Sequence, residues 1–222
     1  MLKLLVVDDH LIFRKGLVAL ILSSKNECEI TEADDGEKAI EALKKSNFDI
    51  TILDIDMPEK SGIDVLNYIA LNEINTKSVI LTMHNDELFF NEAFNRGAKG
   101  FVLKEDSGHE IIDCINEIEK GKVFVSSKLK SFLLNRTTFN REMKKFNEAI
   151  SSLTKSEYNT IKLVAENKTS KEIAEKLFVT EKSIENYRGR ICKKLGISGG
   201  SNSLYKWCIE NKDKIKRIFI FK

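Results

Sequence analysis

Short apolar runs alternate with longer stretches of helical spacing through the first half of the chain. Five runs have the length of buried strands, at residues 2–7, 29–33, 48–54, 78–82 and 100–104. Helical spacing predicts helices at residues 10–22, 36–45, 62–71 and 86–95, and a fifth from a capping box at Ser107–Glu110 to near Gly121. This alternation predicts a flavodoxin-like α/β fold, with five parallel strands in the order 2-1-3-4-5 and helices on both faces.

The pattern changes after residue 150, where only helical spacings remain. Capping boxes open two helices, one at Thr154–Glu157 and one at Thr169–Glu172. Thr180 can cap a third helix from Glu181 to Leu195, and Gly196 stands just past its end. Two capped helices joined by a short turn predict a helix-turn-helix in a small all-α domain.

Residues 122–150 lie between these two patterns and are predicted to be a linker. They contain apolar residues and no run of glycine or proline, and a helical pattern passes through Phe146 and Ile150. Four phenylalanines favour packing against one or both domains over a solvated spacer. We therefore predict a first domain at 1–121, a linker at 122–150, and a second domain with a basic tail at 151–222.

Charge separates the two halves more sharply than hydropathy does. Residues 1–121 hold 13 lysines and arginines against 24 acids, a net charge of −11, and the remainder holds 23 against 10, a net charge of +13. A basic domain raises the expectation of a nucleic-acid partner. The sequence contains no stretch of about 18 apolar residues, so we predict no membrane span. The four cysteines lack metal-site spacing, and we interpret them as reduced thiols in a cytoplasmic protein.

Polar residues of distinct types end four of the five predicted strands. The first strand leads into Asp8 and Asp9, the third ends in Asp54, the fourth in Thr82 and the fifth in Lys104. Ligands in open α/β sheets bind outside these carboxyl ends. Neighbouring carboxylates repel unless a cation joins them, and their oxygens suit Mg²⁺. Each acid alone could instead cap a following helix, but the full set favours a phosphoryl site with Asp54 as the nucleophilic acceptor.

The predicted helix at 181–195 has one apolar face and one polar face. Ile184, Tyr187, Ile191 and Leu195 share the apolar face. The opposite face and its flanks carry residue types that contact bases and phosphates, namely Lys182, Glu185, Asn186, Gly189, Arg190 and Lys193. A solvated surface helix would show the same pattern, and the basic charge of this half favours DNA.

The first 121 residues resemble the receiver domain of two-component response regulators. The matching motifs are Val7-Asp8-Asp9-His10, Asp54-Ile55-Asp56-Met57-Pro58 followed by Gly62, Leu81-Thr82-Met83-His84 and Gly100-Phe101-Val102-Leu103-Lys104. The resemblance implies that Asp54 takes a phosphoryl group from a sensor histidine kinase.

The resemblance also implies a role for each neighbour of Asp54. Asp9, Asp54 and the backbone carbonyl of Asp56 would bind Mg²⁺, with Asp8 acting through water. Lys104 and Thr82 would contact the phosphoryl group, and Thr82 would draw the switch aromatic, Phe101, inward. Glu105 stands where many receivers have proline, and Asp56 is an acid at a position that we interpret as tuning phosphate lifetime.

Residues 151–211 resemble the LuxR/GerE-type output domain. The matching stretches are Leu153-Thr154 with Glu157, Ser170-Lys171-Glu172-Ile173-Ala174, and Thr180 to Ile197. Glu185 replaces a basic residue of that family, Tyr187 replaces a histidine, and Gly189 replaces a residue that is often basic. The resemblance implies a fourth helix at 203–211 that forms a dimer surface.

Both resemblances together indicate a response regulator of the NarL/FixJ type. It would be no enzyme, but a homodimer that binds promoter DNA once Asp54 is phosphorylated. One alternative is a phosphorylation-independent DNA-binding regulator that uses its receiver as a dimerisation scaffold. Another is a phosphotransfer or hydrolytic enzyme of the aspartyl-phosphate type, which would turn over small phosphate esters.

Overall fold

The chain forms two units, residues 1–136 and 137–222, each built around its own apolar core. A computed structural model describes residues 1–25, 27–199 and 202–215. The boundary between the units falls inside the predicted linker. Residues 216–222 of the predicted basic tail lie outside the described ranges.

The first unit is a parallel sheet with helices between successive strands. Its strands are β1 (Leu2–Val7), β2 (Cys28–Ala33), β3 (Ile50–Asp54), β4 (Lys77–Thr82), β5 (Gly100–Leu103) and β6 (Phe124–Val125). Its helices are α1 (Leu11–Ser24), α2 (Gly36–Lys45), α3 (Gly62–Leu71), α4 (Glu87–Asn95) and α5 (Ser107–Glu119). The strand order is β2-β1-β3-β4-β5-β6.

The order predicted for the first five strands is confirmed, but the predicted count of five is wrong. The sixth strand, β6, pairs parallel to β5 at Gly100–Phe124 and Phe101–Val125. It holds only two residues, which is too short for a periodicity to reveal. Its position extends the sheet into residues that were predicted to be linker.

The sheet is buried on both faces because helices cover each side. Alternate residues of β1 enter different clusters, with Leu5 and Val7 in one and Leu4 and Val6 in the other. All five residues of β3 are buried, as the near-continuous apolar run of a central parallel strand requires. The last of them is Asp54.

The capping box predicted at the start of α5 is wrong. Ser107 is the first helical residue, and its hydroxyl donates to the carbonyl of Lys104 at 2.8 Å. A short 3-10 turn over Lys104–Asp106 leads directly into the helix. Glu110 accepts hydrogen bonds from Ser126 and Ser127 instead of turning back on its own helix.

The predicted linker is mostly one helix, α6 (Lys130–Ser151), and it includes the polar residues 135–138. The unit boundary lies after its seventh residue, Arg136. Phe132 packs against the core of the first unit, and Phe146 packs against that of the second, where it stacks on Trp207 at 5.6 Å between ring centroids.

Most of the other described residues of the second unit are helical. Its helices are α7 (Lys155–Ala165), α8 (Ser170–Leu177), α9 (Glu181–Leu195) and α10 (Ser203–Glu210). Both predicted capping boxes are present, at Thr154–Glu157 and Thr169–Glu172, which confirms the local signals. No helix within the described ranges combines the length and the apolar character needed to cross a membrane.

Candidate functional site

Three carboxylates meet at the carboxyl ends of β1 and β3. Asp8 and Asp54 are each 1% exposed, and Asp9 lies beside them with part of its side chain open to solvent. Ligand atoms of these three residues and of His10 all lie within 4.8 Å of one another. The structure therefore brings together the three acids that the sequence predicted.

Lys104 projects from the end of β5 into this acid cluster. Its Nζ lies 2.7 Å from Oδ2 of Asp54 and 2.8 Å from Oδ2 of Asp8. Burial disfavours the ammonium, but the hydrogen bonds to these two carboxylates prevail and raise the pKa of Lys104. Burial raises the pKa of Asp54, and the bond to Lys104 offsets part of that effect.

The acid cluster fits a divalent cation. Three carboxylates face one lysine, so the ionised group is left with two net negative charges. Mg²⁺ takes oxygen ligands and binds through one or two carboxylates while keeping several waters. The carboxylates of Asp9 and Asp54, with Asp8 adjacent, supply a donor set of that kind.

Asp56 lies beside the cluster, where its backbone N–H donates to Oδ1 of Asp54 at 3.4 Å. One carboxylate oxygen of Asp56 is 2.8 Å from Nε2 of His84, and that imidazole stacks on Phe89 at 4.3 Å between centroids. The predicted role of Asp56 is to bind Mg²⁺ through its backbone carbonyl, and the contact of its side chain with His84 does not test that role. The contact with His84 was missed because the two residues are 28 positions apart.

Thr82 and Phe101 are both fully buried. The Thr82 hydroxyl accepts a hydrogen bond from the backbone N–H of His84 at 3.0 Å. The Phe101 ring lies 5.3 Å from that of Phe90 in α4, centroid to centroid. The predicted switch aromatic therefore occupies an inward position, against α4.

Gly62, the first residue of α3, permits the close approach of that helix to the acceptor strand. A Cβ atom at this position would lie 2.0 Å from the backbone carbonyl oxygen of Asp54. No side chain fits in that space without moving the backbone. The glycine four residues after Pro58 thus lets α3 start directly beneath Asp54.

Arg14 is a site residue that the sequence did not reveal. It is 7% exposed, although it lies in α1 among apolar neighbours. Its guanidinium donates to the backbone carbonyl of Asp8 and, at 3.1 Å, to the carboxylate of Glu32. The one available signal was its spacing, because Arg14 shares a helical face with the buried Leu17 and Ile21.

The second candidate site is the exposed face of α9. Thr180 caps the helix by accepting from the N–H of Ser183, and Gly196 ends it at a φ of 65°. Ile184 and Ile191 are fully buried, which confirms the predicted core face. The six predicted DNA-contacting residues are all exposed, namely Lys182, Glu185, Asn186, Gly189, Arg190 and Lys193.

Three of those six residues already contact an oppositely charged side chain within the unit. Lys182 and Glu185 form an ion pair with each other at 3.0 Å. Arg190 lies over the Tyr187 ring and reaches toward Glu157 of α7, with Nε 3.5 Å from the carboxylate. Glu157 is 2% exposed and also binds Lys194 at 2.7 Å. Glu157 thus links α7 to α9 through two ion pairs, and the sequence did not reveal this role.

Comparisons with known proteins cover both units. Residues 4–116 match the response regulator receiver domain family, and residues 151–203 match the luxR family of bacterial regulatory proteins. The oxygen regulatory protein NreC of Staphylococcus aureus is 32% identical over 200 residues, which cover 88% of this chain and 92% of NreC.

Solved structures resemble the chain in the same way. The RcsB response regulator of Salmonella typhimurium covers 93% of this chain and 98% of its own, with a TM-score of 0.61 and 23% identity, and it supports the fold. A DNA-binding response regulator of the LuxR family from Staphylococcus aureus has 30% identity and a TM-score of 0.51 over 53% of this chain and 98% of its own. The chain thus belongs to the response regulators of the two-component systems, with a receiver domain followed by a LuxR-type helix-turn-helix DNA-binding domain.

Proposed function

We propose that this protein is a phosphorylation-controlled regulator of transcription in the cytoplasm, and that Asp54 accepts a phosphoryl group from a histidine kinase. One observation supports this most strongly. Buried Asp54 lies among Asp8, Asp9 and Lys104 at one edge of the sheet, where charges of both signs converge on a single carboxylate.

The transfer is a displacement at phosphorus. An Asp54 carboxylate oxygen forms the new P–O bond as the P–N bond to the kinase histidine breaks, and the histidine keeps the electron pair. Lys104 and Thr82 donate to the phosphoryl oxygens, which gain charge as the bonds exchange. Asp9, Asp54 and the Asp56 carbonyl would hold Mg²⁺, with Asp8 acting through water; the ion would neutralise part of the phosphoryl charge.

The output is proposed to be promoter DNA, bound by a homodimer. The exposed face of α9 carries Lys182, Asn186 and Lys193, which suit phosphate and base contacts. The S. aureus relative of the LuxR family is described as DNA-binding. We propose α10 as the dimer surface, where Ile209 is 41% exposed. In this proposal Asp54 is phosphorylated without turnover of a small molecule. The protein would therefore act as a regulatory switch and not as an enzyme.

Two measurements test the proposal. Acetyl phosphate should label the wild-type chain only when Mg²⁺ is present, and Asp54→Asn should abolish the label; label retained by Asp54→Asn would overturn the assignment. A genome-wide DNA pulldown should then recover sites with phosphorylated wild type that Asp54→Asn does not recover. Equal recovery would favour the phosphorylation-independent alternative, and steady turnover of a phosphate ester would favour the enzyme.

A further inference from the structure

The backbone around Lys104 is held without the proline that follows this lysine in many receivers. Leu103, the residue before it, ends β5 and donates its N–H to the hydroxyl of Ser126 at 3.0 Å. On the other side, the carbonyl of Lys104 accepts a hydrogen bond from the hydroxyl of Ser107. Side-chain hydroxyls thus hold the main chain immediately before and after the lysine.

The bond from Leu103 fills a gap in the sheet. The ladder between β5 and β6 pairs Gly100 with Phe124 and Phe101 with Val125, and then stops. The N–H of Leu103 lies beyond the end of that ladder, at a residue that is 1% exposed. A buried N–H without a partner is costly, and the hydroxyl of Ser126 takes the place of the missing strand.

Ser126 is itself fixed from two directions. Its N–H donates to the carbonyl of Phe101 at 2.9 Å, and its hydroxyl donates to the carboxylate of Glu110 in α5. The same carboxylate accepts the N–H of Ser127 at 3.0 Å. Ser126 is completely buried, so its hydroxyl forms a bridge between α5 and the end of β5 that water does not reach.

We infer that Ser126 and Glu110 are positioning residues for Lys104. They fix the last backbone N–H of β5, and this sets where the lysine side chain leaves the strand to reach Asp8 and Asp54. The inference rests on the proposed function, because it concerns the rate at which Asp54 accepts a phosphoryl group. It assigns a part in that reaction to two side chains outside the acid cluster.

The test compares Ser126→Ala with Thr51→Val in the full chain. Thr51 is also buried in the sheet, and its hydroxyl forms one hydrogen bond, to Thr76 at 2.9 Å, near the opposite end of β3 from Asp54. Ser126→Ala removes two hydrogen bonds of a buried hydroxyl and Thr51→Val removes one, and only Ser126→Ala frees the residue before Lys104. Labelling by acetyl phosphate gives the maximal phosphorylation rate, and calorimetric titration gives the affinity for Mg²⁺.

Ser126→Ala should lower the maximal rate about tenfold, because small displacements of a positioned group slow reactions strongly. The affinity for Mg²⁺ should stay within about twofold, because Lys104 is not among the proposed metal ligands. Thr51→Val should leave both quantities within about twofold. An unchanged rate, equal slowing by Thr51→Val, or a parallel loss of Mg²⁺ affinity would each overturn the inference.

Glu110→Gln provides a second variant if Ser126→Ala does not fold. It keeps an acceptor for Ser126 but removes the charge, and about threefold slowing is expected; no slowing would overturn the inference. Labelling of the wild type and its absence in Asp54→Asn test the proposed function separately. If the wild type takes no label, the proposed function fails, whereas labelled wild type with unimpaired variants removes only the role of Ser126 and Glu110.

Discussion

Two buried carboxylates, Asp54 and Glu157, each face a lysine, but their pKa values are shifted in opposite directions. Burial dominates at Asp54 and raises its pKa, with Asp8 adding a second negative charge nearby. Burial opposes the charge at Glu157 too, but Lys194 and the capping bonds with Thr154 prevail and lower its pKa. Both side chains are almost completely hidden from solvent, but the effect of burial prevails at Asp54, whereas the hydrogen bonds and the charge of the neighbours prevail at Glu157.

Glu157→Gln should destabilise the second unit at neutral pH by about 1–3 kcal/mol, because Lys194 loses a charged partner. The folded-state pKa of Glu157 lies below its ordinary value of 4.5. Its stabilising effect is therefore complete above that pH and is lost as the pH falls through the folded-state pKa. Urea unfolding followed by the fluorescence of Trp207, the single tryptophan of the chain, measures the difference between variant and wild type.

That difference should be largest near pH 7 and should shrink as the pH falls below about 4.5. Glu148→Gln provides the control, because Glu148 is exposed on α6 in the same unit. A difference between Glu157→Gln and wild type that is independent of pH would contradict the assignment.

At the scale of single elements, α9 shows how local chemistry fixes a helix. Thr180 ends it on one side and Gly196 on the other, and Ile184 and Ile191 attach it to the core. Gly189 lies in its middle at an exposed position, where an added Cβ would meet nothing within 4 Å. The helix and its C-terminal cap thus each contain one glycine, and the backbone requirements of the two glycines are opposite.

Alanine substitutions at these two glycines should change stability in opposite directions. Gly189→Ala should stabilise the second unit by about 0.5–1 kcal/mol, because glycine in a helix interior loses more backbone entropy than alanine. Gly196→Ala should destabilise it by about 1 kcal/mol, because φ at this residue is +65°. Urea unfolding followed by Trp207 fluorescence checks both, and effects of the same sign would contradict this account.

Elements with local signals could be predicted from the sequence, and those with distant partners could not. The ends of the strands could be predicted because polar residues follow apolar runs there. The capping boxes of α7 and α8 could be predicted because each is formed within four consecutive residues. The box at Ser107 failed because Glu110 binds Ser126, sixteen residues away. Arg14 was missed for the same reason, since Glu32 on a neighbouring strand makes its burial possible.

At the scale of the whole molecule, opposite charges are segregated along the chain. Residues 1–121 carry −11 and the remainder +13, so the overall charge of +2 describes neither part. In a protein that binds DNA, such segregation directs the polyanion to one part of the chain and away from the other. Binding should therefore depend on salt through the basic half alone.

Lys193→Ala should weaken DNA binding and reduce the slope of log affinity against log salt concentration by about 0.9, because one phosphate contact is lost. A promoter site from the genome-wide DNA pulldown is labelled with a fluorophore, and its fluorescence anisotropy at several salt concentrations gives this slope. Lys45→Ala is the matched control, because Lys45 is an exposed lysine at the end of α2. An equal change of slope in both variants would show that α9 is not the element that binds phosphates.

Strand β6 also decides where the receiver can be cut to yield a stable fragment. A fragment that stops at residue 121 would lack Val125 and Leu129, which belong to the core, and would leave Glu110 without Ser126. It would also present the uncovered edge of β5, and open strand edges recruit strands from other molecules. In the intact chain, the two-residue strand β6 covers that edge, so little of the β5 backbone is left to pair with another molecule.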